Sequence, residues 1–350
     1  MKVEISRDVA GCAADGGAIE YRIYSDLSQI QGLARQWNDL VAISSCNRVF
    51  ASIEWYVASC SKQNSWTPWV VAVSRDGRLS GILPLVIDDE DKTAKFPHHA
   101  ADYNDLIAAD ADHSLIADLL NRAITADHGF QRILLSRLRP DSLCARAMPL
   151  LQSGSKFECG WREIDTYRYI ALPRTFDSYL ASRSKTFRKD IRRSLNAAGG
   201  KDLVLQELQP EKFDPDALPD LLINLAVARH QERCSFTRSV WVRDFLKAAL
   251  PPVFRRRSLR AFAILRGERI TALDLCMVRG NGMVTWNGGF LPEVERFSPG
   301  TALFAFEIQQ AIASGLQEFD FIRGEEGYKR SWTNSSYLVG ELELLAGKTK

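Results

Sequence analysis

Paired cysteines are missing from this sequence. Its seven cysteines, Cys12, Cys46, Cys60, Cys144, Cys159, Cys234 and Cys276, stand singly, with no CxxC pair and an odd total. That argues against zinc ribbons, thioredoxin-type redox motifs and a full disulfide framework, and it fits a reducing compartment. No apolar run approaches the ~18 residues that a spanning helix needs. Asp15, Gly16 and Gly17 interrupt the place where a signal peptide would have its apolar centre. The expectation is a soluble, cytoplasmic protein with no membrane span. Net charge is nearly absent at +2, so no global field points to nucleic acid or a membrane surface. Histidine is scarce. His98-His99 lie near Asp102, but no further ligand follows at metal-binding spacing, and no metal is expected.

What is present is the composition of a globular protein, 46% apolar and 25% charged. A length of 350 residues suggests about two domains at roughly 100–200 residues each. The patterning is mixed α/β (α+β). Residues 1–20 read as a flexible tail. Helical spacing runs from Leu27 to Ile43, and Ser52 caps a second helix. Trp69–Val73, the turn Arg75-Asp76-Gly77-Arg78 and Leu79–Ile87 form a hairpin. A short strand at Tyr103–Ile107 follows, then a helix over Leu115–Ala126 closed by Gly129, a buried strand at Ile133–Leu135, and a strand over Glu163–Leu172.

The same order returns later in the chain. A hairpin spans Leu259–Leu265 and Ile270–Val278 around Arg266-Gly267-Glu268-Arg269. A third strand over Gly282–Gly288, a helix over Thr301–Ser314 and a strand at Phe319–Ile322 complete the set. The offset is about 186 in the helix–Gly–strand unit and 191 at the hairpin turns. A near-constant offset suggests a duplicated domain, and the general similarity of helix–Gly–strand units is the competing explanation. The expected domains are 21–165 and 166–345. Between the repeats, Ser182–Gly199 reads as a helix with Lys185, Arg188, Lys189 and Arg192 on one face and Phe187, Ile191 and Leu195 on the other. Residues 168–260 hold 19 Lys+Arg against 10 Asp+Glu. The basic face is open to three readings: an anionic-substrate contact, a cofactor-phosphate contact, or a solvated surface. No aromatic interleaving accompanies it, which argues against nucleic acid.

Two stretches carry candidate chemistry. In Phe297-Ser298-Pro299-Gly300-Thr301 a helix starts after a strand, with Arg296 beside it; unpaired amides and the dipole at such a start suit phosphate, and a glycine allows close approach. An ordinary Ser-Pro-Gly helix start fits the same residues. The corresponding start in the first half, Asp110-Ala111-Asp112, would repel a pyrophosphate. The other stretch is Phe319-Asp320-Phe321-Ile322-Arg323-Gly324 with Tyr328, Lys329 and Trp332. Asp320 is a candidate base, Tyr328 a candidate acid for a leaving thiolate, and Lys329 a partner for a phosphate or for Asp320; a purely structural Asp320–Lys329 or Asp320–Arg323 pair is equally open. His230, at the end of an apolar helical pattern, is a further candidate base against a structural reading. Asp274, flanked by Leu273 and Leu275 in a strand, reads as outward-facing or as a base.

Trp286-Asn287-Gly288-Gly289-Phe290, Ser298-Pro299-Gly300, Gly315, Phe319–Gly324, Tyr328-Lys329 and Trp332 resemble the CelD-type (cellulose biosynthesis) acetyltransferases of the GNAT superfamily, relatives of the FemAB-like enzymes. The match is specific over 282–332; in broad layout it runs from about 25 to 340, with Asp102-Tyr103-Asn104-Asp105-Leu106 resembling the family's N-terminal element. The resemblance implies two tandem GNAT-type folds, the first degenerate, and an acyl-CoA, most simply acetyl-CoA, bound in the second. It implies an N- or O-acyltransferase for a small-molecule or saccharide acceptor in exopolysaccharide, cellulose or cell-envelope synthesis. Cofactor contacts are expected from Asn287, Gly288, Arg296, Ser298, Pro299, Gly300 and Thr301, and acceptor contacts from Lys185, Arg188, Arg192 and Trp332. The alternatives are a non-catalytic scaffold and a FemAB-like aminoacyl transferase that would use tRNA.

Overall fold

The computed structural model describes residues 9–12, 18–61, 65–97, 101–109, 113–125, 130, 132–154, 157–200, 202–231, 240–324 and 326–346. In chain order the first half contains β1 (Val9–Cys12), β2 (Ala18–Tyr24), α1 (Leu27–Gly32), α2 (Ala34–Ile43), α3 (Ile53–Cys60), β3 (Trp66–Arg75), β4 (Arg78–Asp88), β5 (Thr93–Lys95), β6 (Ile107–Ala108), α4 (His113–Thr125), β7 (Arg132–Leu138), α5 (Leu143–Gly154) and β8 (Phe157–Ala171). Then come α6 (Phe176–Ala181), α7 (Lys185–Ala198), β9 (Val204–Leu208), α8 (Leu218–His230), α9 (Val240–Arg255), β10 (Leu259–Arg266), β11 (Arg269–Arg279), β12 (Gly282–Phe290), α10 (Pro299–Ala313), β13 (Glu318–Arg323), α11 (Gly327–Trp332) and β14 (Ser335–Ala346). Two units result: Met1–Asp165 with Leu338–Lys350, and Thr166–Tyr337.

In the first unit the strands lie in the order β1-β2-β3-β4-β5-β7-β14, with β6 beside β4. Asp76 (φ 52) and Gly77 (φ 72) both take left-handed backbone at the β3–β4 turn, which suits the twist of a tight hairpin. Among the described residues of this unit only β5 and β7 pair in parallel, over Thr93–Lys95 against Arg132–Leu134; α4 lies between them in sequence, as a parallel crossover requires. Leu342 and Leu344 of β14 are buried with Ile133, Leu135 and Leu138 of β7.

The second unit repeats this plan as β9-β10-β11-β12-β13-β8. Among the described residues its one parallel pair is β12 with β13, three residues long, Gly282–Val284 against Glu318–Asp320, and α10 makes the crossover. Arg132–Leu134 and Glu318–Asp320 are therefore the same structural positions 186 residues apart. The basic helix forms as its caps require: the Ser184 hydroxyl accepts from the Phe187 amide, and the helix stops at Gly199. Ile191, with Phe187 and Leu195, packs into the core that α10 shares.

Four expectations need correction. Val9–Cys12 pair with β2, and β2 begins at Ala18, so those residues are tied into a ladder instead of forming a tail. The helix expected over Leu27–Ile43 breaks at Leu33, whose amide returns to Ile30. The strand expected over Tyr103–Ile107 shrinks to Ile107–Ala108, because Tyr103 takes φ 57. Leu338–Lys350 belongs to the first unit, not to a domain ending at 345. Gly129, His98, His99 and Asp110–Asp112 lie outside the described residues.

Gly289 is where β12 and α8 touch: a Cβ there would run into the Leu225–Ala226 backbone. Backbone cannot yield as a side chain can, so Gly289→Ala is expected to cost about 2–3 kcal/mol or more, read as a lowered urea midpoint.

Candidate active site

The site begins where two strands part. β12 is paired to β11 along its length, from Gly282 opposite Arg279 to Phe290 opposite Ala272. On its other edge it holds β13 only as far as Val284 and Asp320. Beyond that β13 keeps β8 alone, and its register breaks before Arg323 meets Tyr167. The bend is at Ile322, a β-branched residue at φ 55, a conformation that surrounding structure must enforce. Asp320 enforces it. Its side chain is 1% exposed; Oδ1 accepts from the Ile322 amide at 2.7 Å and Oδ2 from the Tyr337 hydroxyl at 2.7 Å. Thr285–Phe290 is left with no strand partner on that edge among the described residues.

The open edge leads through a short 3₁₀ helix, Pro292–Phe297, to α10. Ser298 takes left-handed backbone (φ 53), Pro299 occupies the first helical position, and no side chain caps the helix. A Cβ placed on Gly300 would meet nothing within 4 Å. The first amides of α10 therefore have room for an anionic group.

A buried acidic pair lies beside this edge. Asp274 of β11 stands opposite Gly288 of β12, and a Cβ on Gly288 would collide with its carboxylate. Thr285 donates to Asp274 Oδ2 at 2.6 Å. Glu307, on the core face of α10 with Leu303 and Ala311, is fully buried. Ligand atoms of Asp274, Cys276 and Glu307 lie within 4.8 Å of one another. Burial pushes Asp274 up to about 6. Burial, then the Asp274 charge, pushes Glu307 well above the usual carboxylate range. Arg229 of α8 lies over the Phe290 ring at 4.8 Å and its charge is felt by Asp274.

The other expected residues divide. Asn287 and Gly288 lie on the open strand, and Ser298, Pro299, Gly300 and Thr301 at the helix start. Arg296 is exposed in the turn just before it, its guanidinium over the Phe297 ring at 4.7 Å. Tyr328 is half exposed and stacks on Phe304 of α10, with ring centroids 6.3 Å apart; burial, then Glu326 and Asp274, push its hydroxyl up to about 12, so it stays protonated. His230 is exposed at the end of α8, and partial burial and Arg229 hold its pKa below the ordinary value.

Four residues sit elsewhere than expected. Lys329 is buried; it donates to the Arg323 carbonyl and pairs with Glu326 at 2.9 Å, so it closes the loop and does not pair with Asp320. Trp332 is a core residue, 3% exposed, edge-on to Phe187 at 5.0 Å. Arg188 donates to the carbonyls of Ala181 and Arg183, which occupies it at the end of α6. Asp274 faces inward. Lys185, Lys189 and Arg192 are exposed on α7. Glu307 escaped notice in the sequence, although a carboxylate four residues from both Leu303 and Ala311 stands on an apolar helical stripe.

Residues 185–330 match the family model described as an acetyltransferase (GNAT) domain. Over this segment the chain is similar to GNAT acetyltransferase domains. The chain thus carries an acyltransferase, and such domains take an acyl-CoA as co-substrate. No curated protein matches the sequence. Solved structures similar to it include FemX (TM-score 0.62, 13% identity, covering 90% of this chain and 96% of that one). A second is the C-terminal domain (DUF2156) of a putative lysylphosphatidylglycerol synthetase from Agrobacterium fabrum (0.56, 14%, 91% and 92%). A third is L-PGS from Bacillus licheniformis (0.56, 10%, 90% and 91%). At such identities the likeness establishes the fold: two GNAT-type units in tandem within one mixed α/β chain.

Two measurements check the site. The native chain retains a proton on Asp274 between about pH 4 and 6 that the unfolded chain has released. The native state therefore binds more protons in that window, and stability falls as pH rises through it. Glu307 extends the fall to higher pH. Glu307→Gln is expected to flatten the upper part of this decline, by up to about 1.4 kcal/mol per pH unit for one proton, read from urea unfolding between pH 5 and 8. Asp320→Ala, which strands the Tyr337 hydroxyl and the Ile322 amide, is expected to cost about 1–3 kcal/mol and to speed amide exchange at Ile322.

Proposed function

We propose that the chain transfers an acyl group, most simply acetyl, from coenzyme A to an amine or hydroxyl acceptor. The observation that carries this reading is the partnerless edge of β12 running into the open start of α10. Asn287 and Gly288 would hold the donor's amide arm by main-chain bonds, as an added strand would. The amides at Gly300 and Thr301, with Arg296 beside them, would take its pyrophosphate. Amides of the same edge would polarise the thioester carbonyl. Tyr328, protonated at neutral pH, is suited to hydrogen-bond the leaving sulfur, and His230 follows Arg229, whose guanidinium lies over Phe290 at the end of β12. Asp320 holds the strand bend open instead of taking the proton. Lys185, Lys189 and Arg192 offer an anionic acceptor a basic face. A saccharide or cell-envelope acceptor and a cytoplasmic location accord with the CelD-like residues over 282–332; among the described residues no helix is long and apolar enough to cross a membrane.

A second reading is aminoacyl transfer, favoured by the likeness to a putative lysylphosphatidylglycerol synthetase. Titration calorimetry separates the two: saturable acetyl-CoA binding is expected, with no salt-sensitive tRNA binding. Gly300→Asp has room for its side chain but brings a charge against the pyrophosphate. It is expected to weaken acetyl-CoA roughly tenfold or more with an unchanged melting temperature. No heat from acetyl-CoA with the wild type would count against catalysis and for a scaffold role.

A further inference from the structure

Two acids in this unit have no evident reason to be buried together. Glu307 is 0% exposed, and among the described residues no backbone amide and no basic side chain donates a hydrogen bond to either of its oxygens. The polar groups closest to it are themselves acids, the Asp274 carboxylate and the Cys276 thiol. A carboxylate in that position would be repelled; a carboxylic acid would have an acceptor for its O–H in Asp274. Asp274 differs from Glu307 in that 8% of it reaches the surface. It is the member of the pair beside the open strand, fixed there by the Thr285 hydroxyl and by the missing side chain of Gly288.

We propose that Asp274 takes the proton from the attacking nucleophile in acyl transfer, and that Glu307 is a positioning residue that holds Asp274 ready through a shared proton. The assignment rests on the acyl-transfer reading above. The acceptor X–H attacks the thioester carbon, the X–C bond forms as the proton passes to Asp274, and the C–S bond breaks. The thiolate leaves with that proton, giving acyl-X and free coenzyme A thiol. Glu307 donates its O–H to the Asp274 carboxylate before the step. Asp274 faces Thr285 from β12, Glu307 from α10, Arg229 from α8, Tyr328 from α11 and Cys276 on its own strand, and Arg260 from β10 acts on Glu307 and Cys276. Arg229 and Thr285 favour the charged form of Asp274; burial opposes it.

Acetyl-CoA serves as the probe, with water standing in for the acceptor and loss of thioester absorbance as the readout. In the wild type, hydrolysis is expected to rise with pH along a single limb. Asp274→Asn should lower it at least about 100-fold with acetyl-CoA affinity within about twofold by calorimetry. Glu307→Leu removes the donor that steadies the Asp274 carboxylate and should move the limb upward by about one pH unit; Glu307→Gln, which can still donate, should return it. Thr285→Val, which also removes a donor, should move the limb the same way and covers the case in which Asp274→Asn does not fold. Hydrolysis that survives Asp274→Asn, or a limb that neither Glu307→Leu nor Thr285→Val moves, overturns the assignment while acetyl-CoA binding leaves acyl transfer standing. Binding without hydrolysis by the wild type also overturns it. Absence of acetyl-CoA binding overturns the acyl-transfer reading itself.

Discussion

The carboxylate of Asp320 holds one amide and one hydroxyl, and the course of β13 depends on both. Without a bond to the Ile322 amide, a β-branched residue has no reason to adopt left-handed backbone. Without Tyr337, whose ring centroid is 5.7 Å from those of both Tyr167 and Tyr169, the carboxylate would be buried with less to offset its desolvation. Given both, β13 leaves β12 after three pairs, and six residues of strand edge stay open. Everything attributed to the site, from the start of α10 to the position of Gly288, is arranged along that edge. A buried acid that looks in sequence like a proton acceptor is, in the fold, the pin of a strand fork.

The same sheet order serves both units, yet their carboxylates are used differently. In the first unit Asp105 is buried, and burial pushes it up to about 6. Its oxygens accept from the amides of Leu143 and Cys144 at the start of α5. That is a cap, satisfied by backbone. Glu307 in the second unit has no such donors. Two buried acids, both shifted upward by burial, therefore have different meanings: one steadies a helix end through backbone amides, the other is held neutral by its proton.

Local chemistry was legible in the sequence where one short segment decides it. Asp76-Gly77, the Ser184 cap, the stop at Gly199 and the apolar face of α7 all read directly, because turn and cap geometry depend on a few neighbours. The 186-residue repeat reads for the same reason. What did not read depends on contacts distant in sequence. Asp274 and Glu307 are 33 residues apart and meet only once β11 and α10 are stacked. Arg188 and Trp332 have the composition of a ligand site, but the end of α6 and the core around Phe321 claim them. Helix α9 was hidden by Pro251 and Pro252, which it accommodates by leaving the carbonyls of Lys247 and Ala248 without their helical donors. No local signal reveals that the last strand of the chain completes the first sheet.

That last strand has a consequence for the order of events during synthesis. The second unit is one uninterrupted stretch, Thr166–Tyr337, whereas the first needs Leu338–Lys350 as well. Chains emerge from the ribosome N-terminus first, so the half that starts earlier is the half that must wait. Until Leu342 and Leu344 arrive, the flank of β7 that they cover is an exposed edge of the kind that invites wrong pairing. The later half can close its own sheet once Tyr337 has been made. Translation order and folding order are thus reversed, and the second unit can be complete before the first is sealed.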